Sequence, residues 1–218
     1  MTAGERWVVL DVGETLVDET RVFHTWAEIY GLPDLTLMGV LGGSIATATK
    51  PDQWRSFFEL LQQPEWRDQQ PVFEERYGDL RASDLYPDAI GAIQALKAAG
   101  YRLAITANQP ARRHAELTAL GIRVDAMAMS DAMGVAKPDP AFFARTIELL
   151  GSPQPSAVAY VGDRVDNDVE PSAAAGMRAV WIRRGPWGFL HEDRGGRAHL
   201  VVRTLAELVE RIGEAWPD

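Results

Sequence analysis

From Pro87 onward the chain alternates short apolar runs with amphipathic stretches, and this alternation restricts its fold more than any other feature. Ile90, Ile93, Leu96 and Ala99 recur at helical spacing, and Gly100 stops that helix. Strand-like runs follow at 102–106, 126–130, 157–161, 179–182 and 200–202. Between them lie helices at 111–120 and 139–150, closed by Gly121 and Gly151, and a further helix that opens near Asp168. Thr204 and Glu207 have the spacing of a capping box for a last helix, with Leu205, Leu208 and Ile212 on its apolar face. Residues 6–12 form one more apolar run, closed by an acid, Asp11. Repeated strand–helix units predict a parallel sheet with helices on both faces, a doubly wound, Rossmann-like α/β core. Ligands on such sheets bind beyond the carboxyl ends of the strands, at the switch point.

The stretch from 17 to 84 breaks the pattern. Val22, Phe23, Trp26, Ile29 and Tyr30 have helical spacing, as do Trp54, Phe57, Phe58 and Leu61. Pro51, Pro64 and Pro71 punctuate the segment, and no strand pattern occurs. The expected organisation is a core of 1–16 and 85–218 with a small helical domain, 17–84, inserted after the first strand. The glycine-rich piece at Leu41-Gly42-Gly43-Ser44 fits neither period.

Composition narrows the function. The 218 residues include no cysteine, which excludes disulfides, thiolate metal sites and cysteine nucleophiles. A formal net charge of −9 repels a phosphate backbone, so no nucleic-acid partner is expected. No run of about 18 apolar residues occurs, so no membrane span is expected. The N-terminus shows no basic-then-apolar export signal, and the expected location is the cytoplasm. The sequence carries no signal of oligomeric state.

Polar groups gather at the strand ends. Asp11 closes the first run, with Thr15 shortly after; Thr106 and Asn108 follow the second; Lys137 sits in Gly134-Val-Ala-Lys-Pro-Asp-Pro140; Asp163 and Asp168 lie in Gly162-Asp-Arg-Val-Asp-Asn-Asp168. Singly, each has an ordinary reading as a turn, cap or solvated residue. Together they place carboxylates, a hydroxyl and an ammonium on one sheet edge. Carboxylate oxygens suit Mg²⁺, a hard octahedral ion. A hydroxyl and an ammonium suit the equatorial oxygens of a phosphoryl group. A carboxylate nucleophile would split a displacement into two steps through a covalent intermediate.

This pattern resembles the haloacid-dehalogenase-like superfamily, in its branch with an α-helical, C1-type cap after the first strand. The four family motifs are matched in order by Asp11-Val-Gly-Glu-Thr-Leu16, by Thr106 in Ile-Thr-Ala-Asn, by Lys137 in Gly-Val-Ala-Lys-Pro-Asp-Pro, and by Val161-Gly-Asp-Arg-Val-Asp-Asn-Asp-Val169 with Ala175-Gly-Met177 after it. The resemblance implies a Mg²⁺-dependent hydrolase acting on a small phosphorylated metabolite through an aspartyl-phosphate. Asp11 would be nucleophile and metal ligand. Thr106 and Lys137 would hold the transferring group, with Thr15 and Asn108 facing substrate. Asp163, Asp168 and the Gly13 carbonyl would complete the metal site, and the helical insert would close over the cleft.

One position departs from the family. Phosphatases of this kind carry a second Asp two residues after the nucleophile, which protonates the leaving oxygen and later activates water. Here that position is Gly13. Positioned proton transfer contributes about 10²–10⁴-fold in rate. Glu14 is the nearest replacement, with Asp18 and His24 as alternatives from the start of the insert. Phosphonate-cleaving relatives lack this Asp and use a cap lysine; the insert holds only Lys50. Dehalogenase relatives lack it too but need no metal, against which the acid-rich 163–168 segment argues. A non-catalytic Mg²⁺- and phosphate-binding protein is the remaining alternative. A response-regulator receiver would place its acidic pair first, and a nucleotide-binding fold would show a glycine-rich phosphate loop; neither is present.

Overall fold

The computed structural model describes residues 5–47 and 53–217. Lys50 and Pro51 lie outside that range. Six strands form one parallel sheet: β1 (Trp7–Leu10), β2 (Arg102–Ala107), β3 (Ala126–Met129), β4 (Val158–Gly162), β5 (Arg178–Ile182) and β6 (Leu200–Val202). Their order is β3-β2-β1-β4-β5-β6. These strands are almost wholly apolar because helices cover both sheet faces. Val8, Leu10, Leu103, Ile105, Val161 and Val180 pack on one side with α5 (Ala89–Ala98) and α11 (Leu205–Arg211). Trp7, Val9, Ala104, Val158 and Tyr160 pack on the other against Phe142 and Phe143 of α8 (Pro140–Leu149). The buried line of α5 runs through Ala89, Ala92, Ile93 and Leu96; Ile90, expected on that face, is exposed.

The chain builds outward from β1 to β3, then crosses back to β4. The switch point therefore lies between β1 and β4, whose carboxyl ends are side by side, with Leu10 opposite Val161. Asp11 and Asp163, each just past its strand, are thereby delivered to one place.

Between β1 and α5 the chain forms α1 (Thr20–Tyr30), α2 (Asp34–Thr47), α3 (Gln53–Leu60) and α4 (Gln70–Tyr77). Their buried residues form a separate apolar cluster that includes Phe23, Trp26, Leu37, Leu41, Phe57, Phe58 and Phe73. The chain leaves and returns through neighbouring strands of backbone: Asp18 N–H donates to the Asp84 carbonyl at 2.8 Å, and Tyr86 N–H to that of Leu16 at 2.9 Å. The Gly42-Gly43 pair lies inside α2. Glycine disfavours a helix by about 1 kcal/mol per residue, but Leu37, Leu41, Ser44 and Ile45 bury one face of it and tertiary packing prevails.

After β5, Gly185–Leu190 is helical (α10) and Trp187 is buried in the aromatic cluster, its ring 6.1 Å from Phe23. Arg184 is buried as well. It donates to both Asp88 carboxylate oxygens, at 3.1 and 2.6 Å, and to the Thr15 carbonyl, tying β5 to α5 and to the loop after β1. No single helix among the described residues is long and apolar enough to cross a membrane.

Candidate active site

Beyond the carboxyl ends of β1 and β4 opens a cleft of about 990 Å³, walled by the sheet edge on one side and by Trp54, Glu74 and Trp187 on the other. Asp11, Asp163 and Asp168 offer oxygens that all lie within 4.8 Å of one another, and all three residues are buried. Lys137 Nζ sits among them, 2.8 Å from an Asp11 oxygen and 2.6 Å from an Asp168 oxygen.

Local chemistry holds each group in place. The Asp11 N–H donates to the Val161 carbonyl at 2.9 Å, which extends the sheet by one residue at the switch point. A single π turn, Val165–Val169, follows Asp163, and its Asp168 carboxylate turns back to accept from the Arg164 N–H at 3.0 Å. Asp168 fits only because residue 162 is glycine: a Cβ there would collide with the Asp168 carboxyl carbon. Lys137 is set by Asn108, whose amide donates to the Lys137 carbonyl at 2.9 Å and accepts from its N–H at 2.8 Å.

The electrostatics are strained toward a cation. Three buried carboxylates crowd together, and the one ammonium among them pairs with two, Asp11 and Asp168. Burial works against the Lys137 charge, but Asp11 and Asp168 hold it protonated, well above the usual lysine range. One cation cannot satisfy all three acids, so Asp11 is pushed up to about 6 by burial despite Lys137, with Asp168 adding to the rise. Asp163 is also raised, by burial and then by Asp168 and Asp11. One Asp163 oxygen is buried with no hydrogen-bond partner. An orphaned carboxylate oxygen beside two more hard oxygen donors fits a divalent cation such as Mg²⁺.

The structure therefore brings Asp11, Gly13, Glu14, Asn108, Lys137 and Asp163 to the cleft wall, with Asp168 directly behind. It does not bring Thr15 or Thr106 there, contrary to the expectation that both face the ligand. Both are fully buried. Thr106 points to the sheet face that α8 covers, and its hydroxyl lies 3.3 Å from that of Thr146. The Thr15 hydroxyl is buried without a partner.

The candidate replacements for the missing acid also separate. Glu14 has φ +49°, in the left-handed region, so it turns rather than alternates. Its two oxygens are engaged: one accepts from the Tyr86 hydroxyl at 2.5 Å, the other from the Glu19 N–H at 2.9 Å. This corrects the expectation that Glu14 serves as a catalytic group, because neither oxygen is free for substrate. Asp18 caps α1 through the Thr20 N–H at 2.8 Å, and His24 pairs with Asp34 on the surface. Sequence reasoning missed Glu19, Arg164 and Asn167, which also line the cleft. Arg164 and Asn167 sat inside a stretch already singled out. Glu19 carried no signal, since an acid before a helix reads as a partner of the helix dipole.

Comparison with known proteins agrees with this geometry. The family model described as haloacid dehalogenase-like hydrolase matches residues 5–176. A glyceraldehyde 3-phosphate phosphatase of Methanopyrus kandleri is 36% identical over 105 residues, 47% of this chain and 45% of that protein, so the chain spans under half of that relative's length. A phosphoserine phosphatase of Thermus thermophilus is 28% identical over 196 residues, 85% of this chain and 77% of that protein. The crystal structure of a HAD phosphatase from Thermococcus onnurineus superposes with a TM-score of 0.60 at 26% identity, covering 98% of this chain and 99% of that one. With its six-stranded parallel sheet and a family match over most of its length, the chain belongs to the haloacid dehalogenase-like hydrolases.

Proposed function

We propose that the protein is a Mg²⁺-dependent phosphohydrolase acting on a small phosphorylated metabolite through an aspartyl-phosphate on Asp11. The observation that carries this reading is the cluster of Asp11, Asp163 and Asp168 beside Lys137 at the cleft. The phosphatase names of the relatives in the Methanopyrus and Thermus sequences support it.

Asp11, Asp163, Asp168 and the Gly13 carbonyl would hold Mg²⁺, directly or through water. The ion would supply positive charge against the phosphoryl oxygens and the nucleophile, which otherwise repel each other. Asp11 attacks phosphorus in line with the departing oxygen, and water then opens the acyl phosphate and regenerates the carboxylate. Lys137 spans Asp11 and Asp168, favours the ionised nucleophile against the opposing effect of burial, and presents its charge to the transferring group. Asn108 acts on Lys137 by clamping its backbone. The insert 17–84 is proposed as a cap that closes over the cleft and excludes water. Of the cleft-lining residues Lys137 is the one lysine, and its two carboxylate partners keep it charged, which does not suit a Schiff-base role.

The test is phosphate release from acetyl phosphate, p-nitrophenyl phosphate and a panel of alkyl phosphates, with Mg²⁺, with EDTA and with Asp11→Asn. Turnover that needs both Mg²⁺ and Asp11 is expected. No turnover on any of them, with Mg²⁺ still bound, would leave a non-catalytic binder.

A further inference from the structure

Hydrolysis of an alkyl phosphate needs a proton for the leaving oxygen, and Gly13 cannot give one. The space in front of Gly13 is nevertheless filled. A Cβ built on Gly13 would stand 2.5 Å from Glu19 Oε1 and 2.9 Å from Glu19 Cδ, closer than two such atoms approach. The Glu19 carboxyl therefore occupies the volume that a side chain at position 13 would enter. It does so from another part of the chain, the residue that precedes α1.

We propose that Glu19 is the general acid/base of this enzyme, supplied from the first turn of the helical insert in place of a residue on the loop after β1. Three further observations support it. Glu19 lines the same cleft as Asp11 and Asp163. Among the described residues no side chain donates a hydrogen bond to its carboxyl, so its proton chemistry is free for a ligand, whereas both oxygens of Glu14 are engaged. Its backbone is fixed where it matters: the Glu19 N–H is held by Glu14, which is held in turn by Tyr86. Glu14 is thus a positioning residue, and its apparent candidacy as the acid reflects its place beside the real one.

The inference rests on the phosphohydrolase reading. In the first step the bond from Asp11 to phosphorus forms, the bond from phosphorus to the ester oxygen breaks, and that oxygen takes the Glu19 proton and leaves as an alcohol. In the second, the Glu19 carboxylate takes a proton from water, whose oxygen attacks phosphorus, and the bond to Asp11 breaks. Phosphate departs, and Asp11 and Glu19 return to their starting states.

The experiment compares wild type, Glu19→Gln and the pair Gly13→Asp with Glu19→Ala, on an alkyl phosphate and on p-nitrophenyl phosphate, with Mg²⁺ present. Folding of each is checked by thermal melting. Glu19→Gln should lose about 10²–10⁴-fold in kcat on the alkyl ester. On p-nitrophenyl phosphate it should still give a burst of nitrophenolate, because that leaving group needs little protonation, and phosphorylated Asp11 should then accumulate. The paired variant, which returns a carboxylate to the vacated space, should recover alkyl-ester turnover over Glu19→Gln. Wild-type rates in Glu19→Gln, or no gain in a folded paired variant, would overturn the assignment while leaving the phosphohydrolase reading intact. Wild type inactive on every ester, with no phosphorylation of Asp11, overturns both.

Discussion

At the scale of single residues, one ammonium shared between two carboxylates organises the site. Lys137→Met should leave Asp11 and Asp168 buried without their cation. Breaking a buried pair by removing one partner costs about 3–5 kcal/mol, so a drop of that order in urea-unfolding free energy is expected, together with loss of turnover. Retained stability in the variant would mean that the two carboxylates take up protons without cost. Gly162 offers a second, subtler prediction. Gly162→Ala adds only a methyl group, but its Cβ would collide with the Asp168 carboxyl carbon. The expected outcome is weaker Mg²⁺ binding by calorimetry with the fold preserved, since the collision displaces a proposed ligand, Asp168, rather than the core. These residues also show how far the site could be read in advance. Asp11, Lys137, Asp163 and Asp168 were legible because their spacing follows the strand ends, and strand ends follow from periodicity. Glu19 was not, because its place in the cleft depends on where the insert docks. The burial of Thr106 was not legible either, because a strand residue faces one side or the other, and only the position of α8 decides which hydroxyls it covers.

At the scale of elements, the regular half of the chain was readable because parallel strands buried on both faces are near-continuous apolar runs. The insert was readable as helical but not in detail. The glycines of α2 carry no helical preference, and α10 is a six-residue helix whose formation depends on where Trp187 can be buried. That tryptophan reaches from the segment after β5 into the aromatic cluster of α1 to α4, and it is one of the contacts that fasten core to insert. Trp187→Ala should therefore act on both stability and function. Truncating a buried tryptophan costs about 3–5 kcal/mol, and because Trp187 also lines the cleft, KM should rise more than kcat falls. A variant that lost the stability but kept its KM would show that Trp187 only packs and does not help set the cleft.

At the scale of the whole molecule, the crowded carboxylates store instability that the proposed Mg²⁺ would relieve, and pH exposes it. In the metal-free protein Asp11 titrates near 6 against an ordinary 3.8, chiefly because it is buried, and Asp163 shifts in the same direction. The folded protein thus holds these protons more tightly than the unfolded chain does. The Asp11 contribution to stability is fully present below about pH 4 and is lost as pH rises through about 6, because the number of bound protons, ν, is then larger in the folded state; Asp163 acts in the same sense. Carboxylates elsewhere behave in the opposite sense: Asp84 and Asp88 are lowered by their arginine partners, although burial opposes this, and they favour the fold as pH rises. A simple pH–stability curve would mix the two, so the discriminating comparison is between Asp11→Asn and wild type without metal. Asparagine removes one of three crowded negative charges and keeps the shape. The variant should melt at a higher temperature than wild type near pH 8, and the gap should close toward pH 4, where the wild-type carboxyl is already neutral. Mg²⁺ should shrink or reverse the difference at pH 8 by stabilising the wild type more than the variant, in proportion to its tighter binding there. A constant gap across this range, or no response to Mg²⁺, would mean that Lys137 alone neutralises the cluster and that no metal is needed to make Asp11 an ionised nucleophile.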